Sequence, residues 1–134
     1  MAQLLAPYAD VEDVVMALLS SVAPTVTIPP PGFTPPLIQV TRVGGNDDGL
    51  TDFPLVSVMC FGRTYPLAKT MAEQCRQIIL ASAGTSVALA GYPHGVLIDT
   101  AATVSPPAEL PADNPEMRRK TASYRLSLRR PRTT

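Results

Sequence analysis

The sequence predicts an α+β fold: a two-layer sandwich in which a mainly antiparallel four-stranded sheet carries two helices on one face, in the order helix, strand, strand, helix, strand, strand. Two segments repeat apolar residues at the helical period, and four others read as strands, several apolar on one side only. At 134 residues the chain has the length of one ordinary core. Strands of that kind belong to antiparallel sheets with one covered face, so the other face is expected to meet water or a partner. The whole of 1–134 reads as a single domain, with a proline-rich strap at 24–36 and a basic C-terminal end at 118–134.

The first helix is expected from Asp10 to Val22. Asp10 can accept from the free amides of the first turn, Glu12 and Asp13 suit the positive end of the helix dipole, and Pro24 stops the helix. Val11, Val14, Val15, Leu18, Leu19 and Val22 form its apolar stripe. In the strap that follows, Pro29, Pro30, Pro31, Pro35 and Pro36 remove amide donors and stiffen the backbone near polyproline II geometry. A hairpin then pairs Leu37–Val43 with Leu55–Phe61 around a loop rich in glycine, asparagine and aspartate. Val56, Val58 and Cys60 share one face of its second strand.

A second helix runs from Thr64, as cap, to about Ser82, with Pro66 in its first turn and Gly84 as terminator. Ala68, Met71, Ala72, Cys75 and Ile79 make its buried stripe. After a glycine-bearing connection comes a third strand, Val96 to about Thr103, and then a loop punctuated by Pro106, Pro107, Pro111 and Pro115. The last strand, Lys120–Arg129, alternates cleanly. Ala122, Tyr124, Leu126 and Leu128 face the core, and Thr121, Ser123, Arg125, Ser127 and Arg129 face outward.

Charge is segregated along the chain. All eleven acidic residues lie at or before Glu116, whereas Arg118, Arg119, Lys120, Arg125, Arg129, Arg130 and Arg132 follow it. A basic end on an acidic body suits contact between copies of the chain or with a polyanion, because opposite potentials guide encounter and fix register. The two cysteines, Cys60 and Cys75, are too few for a disulfide framework and read as reduced, small apolar residues. No secretory signal is seen, and the apolar run Val14–Leu19 is too short for a membrane span, so a soluble chain without a membrane partner is expected.

No phosphate loop, dinucleotide fingerprint, nucleophile elbow or zinc-ligand spacing occurs. His94, between Pro93 and Gly95, reads as an exposed turn residue, not as a general base. Asp47, Asp48 and Asp52 lack the alternating spacing of a calcium loop. No catalytic, cofactor or metal residue is therefore nominated, and an enzyme is not expected. The candidate assembly interface comprises Arg118, Arg119, Arg125, Arg129 and Arg130 with Asp47, Asp48 and Asp52. For the basic block three readings stay open: a protein interface or DNA-facing lumen, a solvated tail, and direct recognition of nucleic acid.

The chain resembles the tail terminator (minor tail, or tail completion) proteins of long-tailed bacteriophages, especially those of actinobacterial hosts. The resemblance is carried by the run from Asp10 to Val15, by the strand from Pro36 to Gly45 with the acids after it, and by the strand from Asp52 to Gly62. Ala68, Ala72 and Arg76 on the second helix, Arg118, and the ending from Tyr124 to Arg129 complete it. It implies a small α/β fold forming a hexameric ring at the head-proximal end of the virion's tail. Such a ring caps the tail tube, stops its polymerisation and offers a docking face to the head. The implied partners are further copies of the chain, the major tail tube protein and a head–tail connector or neck protein, with DNA passing through the lumen. The alternatives are a head-closure or neck connector protein and a small DNA-binding regulator, of which the regulator predicts steeply salt-dependent DNA binding.

Overall fold

A computed structural model describes residues 7–109 and 118–131; the expectations placed on Pro111, Pro115 and Arg132 lie outside them. The elements are α1 (Val11–Leu19), β1 (Thr25–Val26), β2 (Leu37–Asp47), β3 (Thr51–Gly62), α2 (Tyr65–Ala81), β4 (Thr85–Leu89), β5 (Tyr92–Glu109) and β6 (Arg118–Arg129). The strands form one six-stranded sheet in the order β1-β2-β3-β6-β5-β4.

This corrects the expected four-stranded antiparallel sheet and its element order. The sheet is mixed, because β1 runs parallel to β2, pairing Thr25 with Ile38 and Val26 with Gln39. It is also curled: α1 lies against β4 at one edge and against β1 and β2 at the other. Three strand segments escaped the pattern for identifiable reasons. β1 is two residues long and sits inside the proline-rich strap. β4 contains only five residues, bounded by Gly84 and Gly91, so its flanks read as a turn-rich connection. In β5, Pro106 and Pro107 fall at a register shift between Ser105 and Ala108, where a missing amide donor breaks no regular ladder.

Both helices begin as their cap residues dictate. The Asp10 carboxylate accepts from the Glu12 amide at 2.9 Å, and the Thr64 hydroxyl accepts from the Leu67 amide at 3.3 Å. α2 buries Ala68, Met71, Ala72, Cys75 and Ile79, the stripe read from its periodicity. Two residues beyond its cap, Gly84 takes a positive φ of 78° and donates to the Ile98 carbonyl at 2.7 Å, which turns the chain into β4. Small residues let α2 lie close to the sheet. A Cβ on Gly62 would stand 2.6 Å from the Ala68 nitrogen, so only glycine fits where β3 meets the first turn of α2. α1 ends three residues before the expected Val22, and buries Val11, Val14, Val15 and Leu19 while Leu18 stays half-exposed at the rim.

The core joins one face of the sheet to both helices. Ile38, Val40, Val56, Val58, Cys60, Val87, Val96, Ile98, Ala122, Tyr124, Leu126 and Leu128 belong to it. Cys60 and Cys75 meet there as free thiols, Sγ to Sγ 3.8 Å apart, and their mutual hydrogen bond together with burial pushes the Cys60 pKa up. The opposite face is not wholly open to water or a partner, because the proline-rich strap covers part of it. At its end near α2, Phe33 of the strap packs edge-on against Phe61, ring centroids 5.0 Å apart, and Leu37 lies beside Phe61 in register. Leu37 and Phe61 are buried but outside the main core, and the Arg63 Nε–H pins the strap by donating to the Pro35 carbonyl at 3.0 Å.

Candidate assembly interface

β6 is a central strand, held between β3 and β5, so the basic C-terminal block lies across the body and not on an edge. Arg118 and Arg119 pair across β3 with Gly62 and Phe61, and Arg129 pairs with Thr51. Eleven strand steps of about 3.4 Å put these two ends about 37 Å apart. The candidate arginines therefore form two groups, with Arg125 between them.

At the hairpin end the structure gathers most of the nominated residues. Asp52, 3% exposed, receives two hydrogen bonds from the Arg42 guanidinium, at 2.7 and 2.9 Å, and these bonds raise the Arg42 pKa. The Arg42 Nε–H donates to the Gly44 carbonyl at 3.0 Å, and its backbone N–H donates to Glu12 at 2.8 Å. This ion pair closes the core beneath the start of α1. Asp47 accepts from the Gly49 amide at 3.0 Å and from the Tyr8 hydroxyl at 3.4 Å. Arg130 donates to the Gly49 carbonyl at 2.8 Å and stacks over the Tyr8 ring at 4.3 Å, and Arg129 pairs with Asp99 at 3.1 Å. Charges segregated in sequence are thus interleaved in space.

Asp48 organises the turn itself, accepting from the amides of Thr51 at 2.7 Å and Leu50 at 2.9 Å. These bonds hold its pKa below the ordinary 3.8. A carboxyl depressed on folding contributes stability above its ordinary pKa and loses it as pH falls through the folded value. Acid titration followed at the Leu50 and Thr51 amides is therefore expected to show a step below pH 3.8, absent in Asp48→Asn. A step at or above that value would contradict the turn geometry.

The tip so built is firm yet carries exposed apolar groups, Val43 at 55% and Leu50 at 74%. On the outward face of β6, Ser127 is buried by the Thr100 hydroxyl, 2.6 Å away, whereas Arg125 is exposed and, among the described residues, its side chain has no hydrogen-bond or ionic partner. Lys120 departs from its basic neighbours. It lies on the core side, with Nζ 4.9 Å above the Tyr65 ring. Its even position, in step with Ala122 and Tyr124, was the signal for that placement. The roles of Arg42, Asp99 and Tyr8 had no such signal, because each depends on contacts across the hairpin or between distant strands.

His94 is exposed but lies in β5, not in a turn. Among the described residues no cluster of three or more histidine, cysteine or carboxylate groups is placed to hold a metal, and no helix is long and apolar enough to cross a membrane.

The family model described as "Phage tail termination protein" matches residues 7–134, and the chain belongs to that family of structural proteins of bacteriophage tails. Among solved structures it is similar to a chain of the "Virion of native gene transfer agent (GTA) particle". The two are 12% identical with a TM-score of 0.55, covering 87% of this chain and 84% of that one, a likeness of fold. No curated protein sequence matches the chain.

Proposed function

We propose that the chain assembles as a hexameric ring on the head-proximal end of the phage tail tube, halts further addition of tube subunits and presents a docking face to the neck of the filled head. The observation that carries this reading is the tail termination family match across residues 7–134. The surface supports it. Exposed Arg125 stands among hydroxyl-bearing Thr121 and Ser123 on the outward sheet face, and a braced hairpin projects Val43 and Leu50. Partners in this reading are other copies of the chain, the major tail tube protein and a head–tail connector, with DNA passing through the lumen. The work is structural and not catalytic.

Sedimentation of the purified protein, alone and with tail tubes, tests the proposal. A discrete higher oligomer that binds tubes in preference to portal complexes is expected, and this preference separates it from a head-closure protein. Arg125→Glu should weaken assembly in a salt-dependent way while changing stability by no more than about 0.5 kcal/mol, as exposed substitutions do. A strict monomer at high concentration, with and without tubes, would overturn the reading.

A further inference from the structure

Four stretches of sheet edge have no neighbouring strand among the described residues, on β1, β2, β4 and β5, and they differ in how they are guarded; β1 is only two residues long. Along β2, β1 covers Ile38 and Gln39, Glu12 takes the Arg42 amide, and a register shift between Arg42 and Gly44 interrupts the ladder. β4 is short and shifts register between Val87 and Leu89. Such features blunt an edge against unwanted pairing. β5 differs.

On the flank away from β6, β5 is paired only as far as Ile98. From Thr100 to Ser105 that flank has no partner strand among the described residues, and the segment carries no charged side chain. Thr100, Ala102, Val104 and Ser105 are exposed, Val104 at 50%. The open lane has two ends. The Gly84 amide closes one by donating to Ile98, and Pro106 and Pro107, which have no amide hydrogen, close the other. Room remains for a strand of about six residues, roughly 20 Å long.

We propose that this lane receives the β2 edge of a second copy, residues Val43–Asp47, so that the sheet continues from one subunit into the next. The contact rests on the ring reading above and assigns its two surfaces. Gly44–Asp47 lies beyond the β2 register shift, with Val43 as the extra residue at the shift itself, and ends at the hairpin turn, so this end of β2 can enter a lane closed at one end. Its exposed Val43 matches the exposed Val104 of the lane. Charge also matches. Arg125 stands opposite Ala102, whose small side chain leaves a path across β5 toward the lane, and the incoming hairpin brings Asp47 and Asp48. Pairing two β5 edges with each other fits less well, since with Thr100 facing Ser105 the second copy's prolines would run into the Gly84 end. The contact is heterologous, so every copy uses both surfaces and a suitable rotation closes a ring.

Cross-linking tests the assignment with a short bifunctional maleimide on Val104→Cys, Asn46→Cys and the double variant. Cys60 and Cys75 are buried and stay unreactive in the native protein. The double variant should give a ladder of covalent multimers, and each single variant should stay monomeric on a denaturing gel. Dimers from Val104→Cys alone would show β5–β5 pairing and overturn the proposal. An intact ring by native mass spectrometry without a ladder would overturn the contact and leave the ring reading standing; a strict monomer would overturn both. Val104→Lys provides a check that needs no cross-link. It should abolish the higher oligomer while leaving the thermal midpoint of the dilute monomer unchanged, and an unaffected oligomer would sink the β5 assignment.

Discussion

Leu19→Ala is expected to destabilise the protein by about 2–5 kcal/mol, the range for truncating a buried leucine. Leu19 is fully buried on a helix of nine residues, too short to persist without tertiary packing. Its helix touches both edges of the curled sheet, so a cavity there loosens β4 as well as β1 and β2. Leu18, expected from periodicity to lie in the same stripe, is the internal control. It stays half-exposed at the rim of the core, and Leu18→Ala should cost clearly less. Chemical denaturation of both variants checks the ordering. Equal losses would mean that α1 packs in a different rotation.

The same contrast shows what was legible in the sequence. Strong periodicity and cap chemistry placed α2 from Thr64 onward with its whole buried stripe, and strict alternation assigned the core residues of β3 and β6. Periodicity failed where the elements were short or curved. β1 has two residues, β4 is bounded by glycines, and β5 continues through a pair of prolines by shifting its register. In the sequence the arginines of β6 read as one basic C-terminal end, because charge order along the chain carries no strand order. The structure puts β6 in the middle of the sheet, which spreads its arginines over two ends, and leaves an unguarded stretch of edge on β5. The interface candidates were thus chosen by charge, whereas their grouping depends on strand order. Strand order is set by long-range pairing, about which local pattern says little.

Arg42→Met should have an effect of similar size by a different mechanism. Asp52 is 3% exposed and both of its oxygens accept from the Arg42 guanidinium, so removing the arginine leaves a buried carboxylate without its countercharge. Breaking a fully buried ion pair costs about 3–5 kcal/mol; because the Arg42 side chain is 36% exposed and water can partly replace it, about 2–4 kcal/mol is expected here. The penalty belongs to the stranded partner more than to the lost attraction. The double variant Arg42→Met/Asp52→Leu should therefore recover much of the loss, since replacing both members of such a pair by apolar groups is often nearly neutral. A double-mutant cycle by urea unfolding measures the coupling directly. Additive losses would show that the two residues act separately. Recovery of stability without recovery of ring assembly would assign the pair a second role: Arg42 also holds the Gly44 carbonyl at the β2 register shift, and so sets the direction in which the hairpin tip leaves the sheet.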